Sequence, residues 1–286
     1  MSMRRIAILI DGGYFLKRLP KLVAPRHCET PDKVLTCIRS MCRNHIKSLT
    51  GDNGNLWHQH VYRIFFYDAV PYSGQAHHPL LNRKIDFGKS DLANFRTGLF
   101  EGLRRQRKMA LRLGKVVRDG DWMIGGAKSR KIIATRKLFE TLDLSLMGED
   151  GTLPLTEAQR VELKRLQALW TGIEDHEVKL NLRQKGVDMR IGIDITSLTL
   201  KKQVDTIVLV AGDSDFVPAA KLARREGVEF ILDPMWQTVN DDLFEHIDGL
   251  HSGLSKPKNN PPDEQVNGGE AAQPSAGEVI QEKVLV

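Results

Sequence analysis

Short, unbroken apolar runs, each leading into a segment of helical spacing, constrain this chain more than any other feature. "IAILI" (6–10), "IFFY" (64–67), "IVLVA" (207–211) and the shorter "FIL" (230–232) lack the regular polar alternation of a sheet with one wet face. Strands of that kind are buried on both sides, which calls for a mainly parallel sheet covered by helices. The intervening segments supply the helices. Apolar residues recur at helical spacing over 30–49, with Thr30 as cap and Pro31 in the first turn. Further helices are expected over 90–109 behind Ser90, over 155–170 behind Thr156, from about Val187, and over "DFVPAAKLARRE", closed by Gly227.

The apolar runs hold five residues at most, far short of a membrane span, and the start "MSMRRIAILIDGG" has no signal-peptide pattern. Cys28, Cys37 and Cys42 have no paired spacing, so they read as buried or indifferent thiols of a reducing cytoplasm. Net charge is +6; three lysines against five acids in residues 256–286 leave +8 for the rest, which favours anionic partners. Residues 251–286, rich in Pro, Gly, Asn and Glu, are expected to form a disordered tail. Periodicity weakens over about 120–175, which reads as an insertion carrying a helical segment, and Asp119-Gly120 suggests a hairpin.

The chemistry concentrates where apolar runs stop. Asp11 ends the first run, and Asp213 and Asp215 end "TIVLVA". In an open parallel sheet ligands bind beyond the carboxyl ends of the strands, so these acids should converge on one rim. Asp188 opens the intervening helix near that rim. Asp194, six residues on, diverges from it by roughly 120°. Asp68, ending "IFFYD", is a further rim acid. Each acid alone could equally cap a turn or helix. Together, without His or Cys, they form a hard-oxygen set suited to Mg²⁺ or Mn²⁺. An ion of that kind can activate water against a phosphodiester.

"ILIDGGY", "KGVDMRIGID" and "VLVAGDSDFVPAAKLARREGVEFIL" resemble the NYN domain of the LabA-like group, within the PIN-like nuclease superfamily. The resemblance covers residues 4 to about 248, interrupted by the insertion, so residues 1–250 are taken as one such domain. It implies a three-layer α/β/α fold with a mainly parallel sheet and a metal-dependent ribonuclease site. It places the catalytic, metal-holding acids at Asp11, Asp188, Asp213 and Asp215, with Asp194 as a further ligand. Ala211 stands where many relatives have serine.

Cations follow the second strand: Arg104, Arg105, Arg107 and Lys108, then Lys128, Arg130 and Lys131 in the insertion. They are expected to hold the RNA backbone. Only Trp122 lies among them, so base stacking is not indicated there. His58, His60, His77 and His78 lack acid or thiol partners at ligand spacing. The expected partner is RNA, with no membrane, and a homo-oligomer is compatible with the sequence. The rival is a non-catalytic RNA- or protein-binding module of the same fold with a regulatory role. Hydride transfer is disfavoured because "IDGGY" lacks a GxGxxG cradle.

Overall fold

In the computed structural model, which describes residues 4–52 and 56–256, the central strand is β1 (Ile6–Asp11). It is followed by α1 (Gly12–Arg18), α2 (Pro31–Thr50), β2 (Val61–Val70), β3 (Gln75–His78), β4 (Arg83–Asp86), α3 (Asp91–Arg104) and β5 (Met109–Ile124). Then come α4 (Gly126–Ala134), α5 (Arg136–Glu140), α6 (Glu157–Thr171), β6 (Val178–Lys185), α7 (Val187–Leu200), β7 (Thr206–Val210), α8 (Val217–Arg225), β8 (Glu229–Asp233), α9 (Asp241–Phe244) and β9 (Gly249–Leu250). The main sheet has the order β6-β5-β2-β1-β7-β8-β9. The pairs β1–β2, β1–β7, β2–β5, β7–β8 and β8–β9 are all parallel.

Strand parity sorts the core into two layers. Ile6, Ile8, Ile10, Phe66, Val208 and Val210 pack with Val34, Ile38, Leu99 and Leu103 of α2 and α3. Ala7, Leu9, Phe65, Tyr67, Ile207 and Leu209 pack with Ile191, Ile195, Ala220 and Ala223 of α7 and α8. This is a three-layer α/β/α fold. The expected caps form: Thr30 accepts from Lys33 N–H, Ser90 from Ala93 N–H, and Thr156 joins Gln159 in a capping box.

The chain divides into two compact units, and among the described residues the larger takes 4–52, 56–73, 87–117 and 184–256. The smaller takes 74–86 and 118–183, where the sequence suggested an insertion at about 120–175. Within it β3 and β4 form an antiparallel hairpin, His78 meets Trp122 edge-on with ring centroids 4.6 Å apart, and Leu138 and Leu166 are buried.

Two expectations are corrected. No hairpin forms at Asp119-Gly120, because β5 runs unbroken through both residues. A Cβ on Gly120 would meet the Asn181 side chain of β6 at 2.9 Å, so this glycine serves a close approach rather than a turn. The tail does not begin at 251 either. Gly253 N–H donates to Asp233 Oδ2 at 3.0 Å, Asn44 Nδ2 donates to Gly253 O at 2.8 Å, and Leu254 is buried. Residues 257–286 lie outside the described residues.

Candidate active site at the carboxyl rim

Asp11 is the last residue of β1, level with Tyr67 of β2, which is level with Arg112 of β5. On the other side Ile10 is level with Val210, so Asp213 lies three residues beyond that level along the chain leaving β7. The rim expected from sequence therefore exists, and its acids differ sharply in environment.

Asp11 caps α1, its Oδ1 accepting from Tyr14 N–H at 3.1 Å. The approach is tight: a Cβ on Gly12 would sit 2.5 Å from Tyr67 O and from the Phe66 ring. Burial pushes the Asp11 carboxyl up to about 7, the Tyr14 N–H pulls it back, and the charges of Asp188 and Asp68 raise it further. Asp188, exposed in the first turn of α7, is thus an electrostatic neighbour of Asp11.

Asp68 is fully buried on the α3 side of the sheet. It accepts from Arg96 and, at 2.8 Å, from Ala69 N–H. Burial raises its pKa against the lowering effect of Arg96. Its Oδ2 has no hydrogen-bond partner, and neither has Arg96 Nε.

Asp213 and Asp215 both face water. Asp213 Oδ1 accepts from Asp215 N–H at 3.0 Å and caps the turn Ser214–Phe216, so the capping alternative describes its side chain here. Tyr14 joins this loop to Asp11. Its ring lies where a Cβ on Gly212 would come within 2.6 Å, while its hydroxyl donates to Pro234 O at 2.6 Å. Asp194 is engaged elsewhere. Its Oδ2 accepts from Tyr67 hydroxyl at 2.8 Å and Arg112 Nε at 3.1 Å.

By chemistry the carboxylates suit a hard dication: oxygen donors only, with the half-buried Asp11 carboxyl raised toward its neutral form and its ionisation favoured by any cation placed beside it. By spacing they do not. Among the described residues no three His, Cys, Asp or Glu side chains stand close enough to hold a metal ion.

The basic segment is not where the sequence suggested. Arg104 ends α3, and Arg105, Arg107 and Lys108 lead into Met109, which is level with Ile64. They therefore sit at the amino ends of the strands, roughly 10 Å or more below Asp11 at about 3.3 Å per residue. Lys108 Nζ is also spent on backbone, donating to Val61 O and, at 2.7 Å, to His58 O. A helix-to-strand connection in a parallel sheet always falls at that rim, so the order α3–cations–β5 carried the signal. In the smaller unit Lys128 is bound to Glu177 and to Gly172 O, whereas Arg130 and Lys131 are exposed on α4. Exposed Arg112 is level with Asp11, and exposed Lys115 lies three residues beyond that level.

The family model of the NYN domain matches residues 157–250, a stretch holding Asp188, Asp194, Asp213 and Asp215 but not Asp11. That stretch of the chain is similar to the NYN domain. No curated protein matches the chain. A solved structure of a protein of unknown function from Vibrio parahaemolyticus is 12% identical, covering 87% of this chain and 93% of its own, with a TM-score of 0.38. Among the described residues no helix is long and apolar enough to cross a membrane.

Proposed function

We propose that the protein is a ribonuclease dependent on Mg²⁺ or Mn²⁺, hydrolysing RNA phosphodiesters at the carboxyl rim. One observation carries this: a carboxyl at the end of the central strand, pushed up to about 7 by burial and by Asp188 and Asp68. Such a group costs stability and is at home where a cation and an anionic substrate are handled. Asp11 and Asp188, with Asp213 and Asp215, are the acids that would have to draw together around the ion, since they do not stand at ligand spacing in this structure. When bound, an ion of this kind polarises a phosphoryl oxygen and lowers the pKa of water. Arg112, at the level of Asp11, and Lys115, three residues further along β5, hold the ribose-phosphate backbone. Tyr14 fixes Asp11 relative to Gly212, so the strand-end acid and the Asp213 loop keep their register.

The test is cleavage of labelled RNA and DNA with Mg²⁺, Mn²⁺ or EDTA. RNA cleavage that requires the metal supports the reading; cleavage indifferent to EDTA overturns it. The second reading, a non-catalytic RNA-binding module, is favoured by the wide spacing of the carboxylates. It predicts RNA binding with no turnover under any metal.

A further inference from the structure

Beyond β8 the chain passes through two consecutive non-glycine residues in the left-handed region, Met235 (φ 47°) and Trp236 (φ 61°). Glycine would adopt this backbone without steric cost, so the side chains carry the reason for the strain. Their fates are opposite. Met235 is 1% exposed and sits in the core, whereas Trp236 is 44% exposed.

The exposed ring is nonetheless held still. Trp236 N–H donates to Ser252 Oγ at 3.2 Å and Nε1–H to Leu254 O at 2.6 Å, while Lys256 Nζ lies 5.9 Å from the ring centroid. The loop is also tied to the acidic rim. Asp233, the last residue of β8, is level with Val210 of β7, so Trp236 and Asp213 each lie three residues past the same level. Tyr14, which donates its N–H to Asp11, donates its hydroxyl to Pro234 O, and Arg18 donates to Met235 O at 2.9 Å.

We infer that Trp236 is a platform on which an unpaired base of the RNA stacks, beside the phosphate presented to Asp11 and Asp213. This rests on the ribonuclease reading. The chemistry is that of a flat, pre-positioned π face, with Lys256 over the ring and Arg18 bound to the neighbouring Met235 O as cations for the backbone. Every base offers a face to such a ring, and a ring already immobilised loses little freedom on binding. A merely structural tryptophan, pinning Leu254, would have no need to leave its ring in water.

The experiment compares the wild-type protein with Trp236→Ala and Trp236→Phe in EDTA. The probes are fluorescein-labelled oligouridylate and an abasic ribose-phosphate strand of equal length, read by anisotropy. Trp236→Ala should weaken oligouridylate binding by about tenfold or more, and Trp236→Phe by about threefold or less. Neither substitution should change affinity for the abasic strand. Oligouridylate affinity unchanged in Trp236→Ala, or an equal loss on the abasic strand, would overturn the inference. A parallel cleavage assay with Mg²⁺ and Mn²⁺ separates the two readings. Base-dependent binding without wild-type cleavage removes the ribonuclease and leaves the platform. Cleavage with no effect of Trp236→Ala does the opposite.

Discussion

The two ends of the central sheet have opposite chemistry. At the carboxyl ends stand Asp11, Asp68, Asp188 and the Asp213–Asp215 loop; at the amino ends stand Arg104, Arg105, Arg107 and Lys108. Within the carboxyl rim a second contrast holds. Asp11 and Asp68 are shielded and raised in pKa, while Asp213 and Asp215 face water. Acids alone do not make a site; what sets one end apart is that its acids are kept where ionisation is costly and are joined through Tyr14 to a loop of further acids. The amino end has charge in plenty but spends Lys108 on backbone carbonyls.

Asp68→Ala should have the largest effect on stability. Arg96 would be left buried without its partner, costing about 3–5 kcal/mol in urea unfolding. A loss below about 1 kcal/mol would mean that Arg96 finds water, and that the shielded half of the rim is less dry than its burial implies.

Asp11→Asn should lower metal-dependent turnover by about two to three orders of magnitude, since removing one ligand forfeits several kcal/mol of charge stabilisation. Its stability effect has the opposite sign. The folded carboxyl titrates near 7 against an ordinary 3.8, so unfolding releases a proton between those values. Wild-type stability therefore falls as pH rises through that window, and the penalty is complete above about 7. Asp11→Asn should melt higher than wild type at pH 8, the gap closing toward pH 4. Parallel melting curves across that range would remove the shielding of Asp11 from the comparison.

Neutralising Arg112 and Lys115 to Gln should flatten the salt dependence of RNA binding by about 1.4 in log–log slope, about 0.7 per contact. Neutralising Arg104, Arg105 and Arg107 should leave that slope nearly unchanged. The reverse pattern would put the RNA at the amino end. Smallest of all, Asp213→Ala should cost about 1 kcal/mol through loss of the cap, and Asp213→Asn almost nothing, because asparagine caps as well as aspartate. If both abolish turnover, the exposed acid serves chemistry as well as the turn.

Strands, helices and caps were legible because each depends on local pattern: a doubly buried strand must be apolar throughout, and Thr30, Ser90 and Thr156 declare helix starts. The strand-end acids were legible for the same reason. Gly120 was misread because a glycine needed for a neighbour's side chain looks the same in sequence as one needed for a turn. The basic run looked adjacent to the acids because chain proximity hides direction: one strand length separates the two rims. Asp68's partner Arg96 lies 28 residues away on a helix, and Trp236's conformation depends on a backbone that no local pattern announces.

The order of the strands has a consequence for synthesis. Ile6 pairs alongside Thr206, so the central strand is made two hundred positions before its neighbour β7. At about 5–20 residues per second, "IAILI" waits roughly 10–40 s on the ribosome with one edge open, even if β2 has already docked on the other. An apolar, uncharged five-residue edge is a template for pairing with another nascent chain. Expression at low temperature or with a holdase present should accordingly raise the soluble yield more than any change at the protein's folded surface.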